Sequence, residues 1–206
     1  MDPHPSLTEL TKLSHTYYER QWMYATAGNL SARDGDRFWI TASGKHKGEL
    51  TDKDFVSVSV EDGSLVSAAA GLKPSAETSI HQVVYSQIAD AGAALHVHTL
   101  DSNLLEFGIG KEEGFRDIPL PPIEIIKAFG IWDEKPNLKF PVFYNHTHVP
   151  TIASEIKRYM ETKGIPQVPF LLIEGHGPTV WGKSVAEANK HLEAVHFLLQ
   201  VMARRI

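Results

Sequence analysis

The segment Ala93-Ala94-Leu95-His96-Val97-His98 constrains this chain more than any other. It is an apolar run that reads as a buried strand, closed by two histidines one residue apart. In an extended chain, residues two apart project from the same face, so two imidazoles arrive side by side at a strand end. Two histidines and one further ligand hold a divalent metal and leave a coordination position open. A second apolar stretch, Leu171-Leu172-Ile173-Glu174-Gly175-His176-Gly177, runs out into a histidine flanked by glycines. The expectation is a metal enzyme whose three ligands, His96, His98 and His176, come from two strand ends.

Composition narrows the chemistry. The 206 residues include no cysteine, so disulfides and thiolate ligands are excluded and the site must rest on histidine and carboxylate. Twenty Lys and Arg against 25 Asp and Glu give a net charge of −5, with the signs interspersed. No basic block points to a nucleic-acid partner. No apolar stretch approaches the roughly 20 residues that span a bilayer. The opening Met1-Asp2-Pro3-His4-Pro5 lacks a charged start followed by an apolar core, so no secretory signal is expected. A cytoplasmic protein is expected, with a single domain over residues 1–206.

The coarse pattern alternates strands and helices. Ser6-Leu7-Thr8-Glu9 is a capping box, and Leu7, Leu10, Leu13 and Tyr17 follow at helical spacing, predicting a helix from about Leu7 to Tyr24. Residues 29–33 and 37–41 flank Asp34-Gly35, a hairpin signal, and Phe55 to Val60 alternates before the Asp62-Gly63 turn. Helices are predicted over 75–89, 151–163 and 184–204, the last opened by the capping box Ser184-Val185-Ala186-Glu187, and a further one starts near Asp101. Strands are predicted over 93–98, 140–144 and 170–173. Lys111 to Pro122 reads as a loop, and Ile123 to Phe129 is left unassigned. The fold class expected is three-layer α/β/α, a mostly antiparallel central sheet flanked by helices.

Other residues need weighing. His146-Thr147-His148 has the same spacing as the first pair, but no long apolar strand feeds it, so a helix N-cap or a solvated loop is its expected place. His4, His15, His46, His81, His191 and His196 lie on apparent helices or loops and read as surface or core residues. Glu77, in Lys73-Pro74-Ser75-Ala76-Glu77-Thr78, falls in the first turn of a helix, where the dipole alone favours an acid. A carboxylate there could equally be a general base beside the metal. Gly28-Asn29-Leu30-Ser31 and Thr41-Ala42-Ser43-Gly44 are small polar turns which, with Ser75 at a helix start, could present N–H groups and hydroxyls to a phosphate. Neither is a Walker or dinucleotide fingerprint.

Taken in order, Gly28-Asn29-Leu30-Ser31, Thr41-Ala42-Ser43-Gly44, Lys73-Pro74-Ser75-Ala76-Glu77-Thr78, His96-Val97-His98 and Gly175-His176-Gly177 resemble the class II aldolase family, from about Thr8 to Arg204. Within it, Thr41-Ala42-Ser43-Gly44-Lys45, Glu124-Ile125-Ile126-Lys127-Ala128 and Val180-Trp181-Gly182-Lys183 are most similar to the sugar-phosphate dehydratase branch. The resemblance implies a class II aldolase-like fold and one Zn2+ per subunit on His96, His98 and His176. It implies a hydro-lyase that removes water from a methylthio-substituted ketopentose 1-phosphate in methionine salvage. Asn29, Ser43, Gly44 and Ser75 match the family's phosphate-binding positions. Glu77 and Glu124 match its catalytic carboxylates, with the division into base and acid left open. A homotetramer with active sites near subunit boundaries is also implied. The alternatives are an aldolase or epimerase on another sugar phosphate, using the same metal, and a non-enzymatic, adducin-like assembly module.

Overall fold

Alternation along the central strands decides the architecture. In β8 (Phe170–Ile173), Phe170 and Leu172 enter one apolar core while Leu171 and Ile173 enter another. β5 (Ala93–His96) does the same, with Ala93 and Leu95 on one side and Ala94 on the other. Strands that are apolar on both faces must lie between two covering layers. The computed structural model describes residues 5–205. Met1 to His4, on which the leader expectation and the reading of His4 fall, lie outside the described residues, as does Ile206.

The other strands are β1 (Asn29–Asp34), β2 (Arg37–Thr41), β3 (Phe55–Ser59), β4 (Leu65–Ser67), β6 (Phe115–Pro119), β7 (Lys139–Phe143) and β9 (Gly177–Gly182). Nine strands form one sheet in the order β4-β3-β2-β1-β5-β9-β8-β7-β6. Every neighbouring pair is antiparallel except β7–β8. On one face lie α1 (Pro5–Glu19), the single turn α3 (Leu100–Asn103) and α5 (Val185–Ala203), which bury Leu7, Leu10, Leu192, Val195 and Leu199. On the other, α2 (Thr78–Gln87) and α4 (Val149–Lys163) pack on each other and bury Ile80, Val84, Ile152 and Ile156. The expected three layers and mostly antiparallel sheet are present. Among the described residues, no helix is long and apolar enough to cross a membrane.

The local departures have physical reasons. α1 stops at Glu19 rather than Tyr24, because Gln21 takes a positive φ of 62° and turns Trp22 and Met23 inward to burial. Helix α2 begins at Thr78, three residues later than expected, and the helix near Asp101 is one turn long. The stretch expected as a loop over Lys111 to Pro122 contains β6, and Glu124–Phe129 is a 3-10 helix. β4 is the second arm of the hairpin signalled by Asp62-Gly63, whereas β9 was not anticipated. β9 lies beside the central strand β5, and its entry is tight: a Cβ on Gly177 would lie 2.0 Å from the Val97 carbonyl oxygen, so only hydrogen fits.

This topology gathers one end of the sheet. His96 at the end of β5 lies opposite Asn29, which begins β1, and opposite Thr179, near the start of β9.

Candidate metal centre

His96 is 1 % exposed, and its Nδ1 lies 2.9 Å from the Pro178 carbonyl oxygen. A carbonyl only accepts, so Nδ1 carries the proton and Nε2 presents a bare lone pair. That lone pair points at Nε2 of His98, 2.9 Å away, and Nε2 of His176, 3.3 Å away. His98 is set by its own backbone N–H, which donates to the Trp22 carbonyl at 2.9 Å. His176 stands in the turn between β8 and β9. Its N–H donates to Ile173 O at 3.2 Å, and its carbonyl accepts from the Asn103 amide at 3.0 Å. Beside it, the Glu174 carboxylate accepts the backbone N–H groups of Phe107, Gly108 and Ile109, tying the turn to the segment after α3.

Three imidazole nitrogens and the Glu77 carboxylate offer ligand atoms all within 4.8 Å of one another. In a tetrahedral site with bonds of about 2.0–2.1 Å, ligand nitrogens stand roughly 3.3 Å apart. The observed spacing is close to that. Burial lowers the pKa of His96 to about 4 and of His98 to about 3, which keeps both rings neutral, the form that ligates. The donor set fits a divalent metal.

Glu77 occupies the N-cap position of α2 yet makes no side-chain cap hydrogen bond. The helix-dipole account of this acid therefore does not describe where its side chain goes. Oε1 lies 2.7 Å from His176 Nε2, Oε2 lies 3.3 Å from His96 Nε2, and the Asn29 amide donates to Oε2. Burial by itself would raise the carboxyl's pKa, but the neighbouring His96 and His176 rings and the Asn29 N–H outweigh it and hold the group well below the usual carboxylate range.

The phosphate candidates meet in one cavity of about 290 Å³. Asn29, Ser43, Gly44 and Ser75 line it together with Glu77 and His98. A bridge between Ala42 and Pro74 and a bond from Ser43 N–H to Lys73 O (2.9 Å) hold two of the turns together. The sequence reading missed Lys47 in the same wall. It is 2 % exposed, and its ammonium donates to Thr26 O at 2.6 Å and Lys45 O at 2.9 Å. Burial lowers its pKa to about 8 against the opposing pull of Glu77. The available signal was its place directly after Ser43-Gly44-Lys45-His46, a cation beside a polar turn.

Glu124 is not among these residues. It starts the 3-10 helix, its side chain 84 % exposed and paired with Lys127 at 2.7 Å, in a separate cleft with Trp132 and Pro136. The rival pair behaves as expected. His148 is the N-cap residue of α4 and His146 pairs with Glu155 at 3.1 Å, neither joining the cluster.

Comparison with known proteins agrees with this geometry. The profile of the class II aldolase and adducin N-terminal domain family matches residues 8–203. A methylthioribulose-1-phosphate dehydratase of Leptospira biflexa serovar Patoc is 80% identical over 209 residues, covering 100% of both chains. One from Leptospira interrogans serovar copenhageni is 44% identical, covering 95% of this chain and 81% of the relative. Among solved structures, L-fuculose-1-phosphate aldolase from Thermus thermophilus superposes with a TM-score of 0.70 at 21% identity, over 98% of this chain and 95% of that one, a likeness of fold.

Proposed function

This chain belongs to the class II aldolase and adducin N-terminal domain family, and from that premise we propose that it is a methylthioribulose-1-phosphate dehydratase. The observation that carries the reading is the meeting of three inward-facing imidazoles and an ionised carboxylate at a cavity walled by polar turns. The choice of dehydration over carbon–carbon cleavage rests on the names of the full-length relatives. The protein is taken to act as one domain, in a cytoplasmic homotetramer, within methionine salvage.

His96, His98 and His176 would hold one Zn2+, which would supply Lewis acidity to the bound substrate. Asn29, Ser43, Gly44 and Ser75 receive the phosphate and fix the carbon chain across the site. Glu77 takes the proton from carbon 3, since it is ionised, buried and beside the cluster. The electron pair left at carbon 3 forms the double bond to carbon 4 and expels its hydroxyl, which needs a proton to leave as water. Glu124 gives that proton. It lies outside the cluster of its own chain, so the role falls to Glu124 reaching across a subunit boundary. The product enol then tautomerises to 2,3-diketo-5-methylthiopentyl 1-phosphate.

The test is turnover by purified protein with 5-methylthioribulose 1-phosphate and, separately, L-fuculose 1-phosphate, together with metal analysis. Dehydration of the first with stoichiometric zinc supports the reading. Cleavage of the second without dehydration makes it an aldolase, and no turnover with no bound metal makes it an assembly module.

A further inference from the structure

Behind Glu77 runs a line of buried side chains of which the proposed reaction uses only the first, Asn29. Asn29 donates through its amide nitrogen to Glu77 Oε2, and its Oδ1 lies 2.5 Å from His81 Nε2. His81 Nδ1 lies 2.6 Å from Ser31 Oγ, which lies 2.7 Å from the Tyr85 hydroxyl. Asn29, Ser31, His81 and Tyr85 are 2, 0, 0 and 1 % exposed, so water does not compete for these bonds. The periodicities explain the meeting. Asn29 and Ser31 share one face of β1, while Glu77, His81 and Tyr85 succeed one another at four-residue intervals along one side of α2.

The direction of each bond follows from the carboxylate. Ionised Glu77 only accepts, so Asn29 turns its NH2 toward it and its Oδ1 toward His81. Oδ1 only accepts, so His81 carries its proton on Nε2 and leaves Nδ1 bare. Nδ1 then accepts from the Ser31 hydroxyl, whose oxygen accepts from Tyr85. Ser31 Oγ also stands 3.2 Å from Ala94 O, but its one proton goes to the nearer nitrogen. Four side chains thus donate in one sense, from Tyr85 through Ser31, His81 and Asn29, to the accepting Glu77.

We propose that His81, as the neutral Nε2–H tautomer, is a positioning residue for Glu77: it locks the Asn29 amide so that its NH2 holds Oε2, leaving Oε1 turned to His176 and the reaction space. The inference rests on Glu77 being the reacting carboxylate. Without His81, the Asn29 amide loses the partner that fixes which end faces Glu77, and an inverted amide sets oxygen against oxygen. Burial, opposed by Glu77, lowers the His81 pKa to about 4, in keeping with a ring that stays neutral.

Two measurements test it. In the zinc-loaded protein, 15N NMR of the His81 ring should report the Nε2–H tautomer at neutral pH; an Nδ1–H ring or an imidazolium overturns the proposal. His81→Leu should lower kcat by roughly tenfold to a hundredfold, as a displaced reacting group does, with KM and zinc stoichiometry unchanged. His81→Gln, whose amide can donate from the place of Nε2, should restore most of it. Full activity in H81L, or equal losses in both variants, overturns it. Should H81L not fold, the tautomer and the H81Q rates still decide. The tautomer is read without substrate, so a wild-type protein that fails to dehydrate methylthioribulose phosphate refutes the proposed function and leaves this measurement standing.

Discussion

The ring of His96 is oriented by the carbonyl of Pro178, 2.9 Å from its Nδ1, and this one contact decides which nitrogen faces His98 and His176. Removal of the ring should therefore cost the metal. Wild-type protein should hold roughly one zinc per chain and His96→Ala almost none, by elemental analysis. At free metal roughly 100 times Kd, loading stabilises a fold by about 2.7 kcal/mol. Chelation should accordingly lower the Tm of the wild type and leave that of H96A unmoved. Stoichiometric zinc in H96A would falsify the ligand assignment.

Glu77 and Glu124 should separate by isotope. Each changed singly to Gln should lower kcat by about 10²–10⁴, the usual worth of a general acid or base. Glu77→Gln should also abolish solvent-deuterium exchange at carbon 3, whereas Glu124→Gln should retain it, since proton removal precedes loss of the hydroxyl. The reverse pattern exchanges the two roles.

Lys47 pins the carbonyls of Thr26 and Lys45 from within the wall that holds Asn29, Ser43 and Gly44. Lys47→Met keeps the length and removes the charge. KM for the sugar phosphate, and the inhibition constant for inorganic phosphate, should each rise about tenfold, equivalent to about 1.4 kcal/mol, with zinc content unchanged. Unaltered phosphate inhibition would remove Lys47 from the anion site.

Acid should weaken the fold through His81. Its folded pKa is about 4 against 6.5 in the open chain, so between those values the unfolded state binds more protons. The stabilisation is complete above about pH 6.5 and is lost as pH falls toward 4, a change of about 3 kcal/mol. The groups facing the ring are Glu77 and Tyr85 from α2, Asn29 and Ser31 from β1, and His96 from β5. Denaturant melts across pH 4–7 should show a shallower acid slope for His81→Leu; identical slopes would assign the acid sensitivity elsewhere.

Much of this was legible in the residues. The Ser184 capping box, the Asp34-Gly35 turn and the two apolar runs ending in histidine located α5, the first hairpin and the three-histidine cluster, because each signal is local. What escaped depends on neighbours. β6 ends in Pro119 and lies at a sheet edge, where a missing N–H is tolerated, so its composition resembles a loop. β9 opens on Gly177 and Pro178, yet it pairs with both β5 and β8, and its glycine is required by the Val97 carbonyl. Periodicity carried the first helix five residues too far because Trp22 and Met23, buried in the structure, extend an apolar pattern that the turn at Gln21 breaks. For Glu77 the sequence offers a helix-start acid or a general base, and for His81 a surface or core residue; neither reading contains the partner on β1.

His176 lies 80 positions beyond His96 along the chain, and the two meet only where β9 has docked on β5. Before that docking, a nascent polypeptide owns just the local His96–His98 pair, a weak and unselective chelator. Tight metal capture by this cluster would thus be a late event in folding, and ion retention would report that the middle of the sheet has zipped shut.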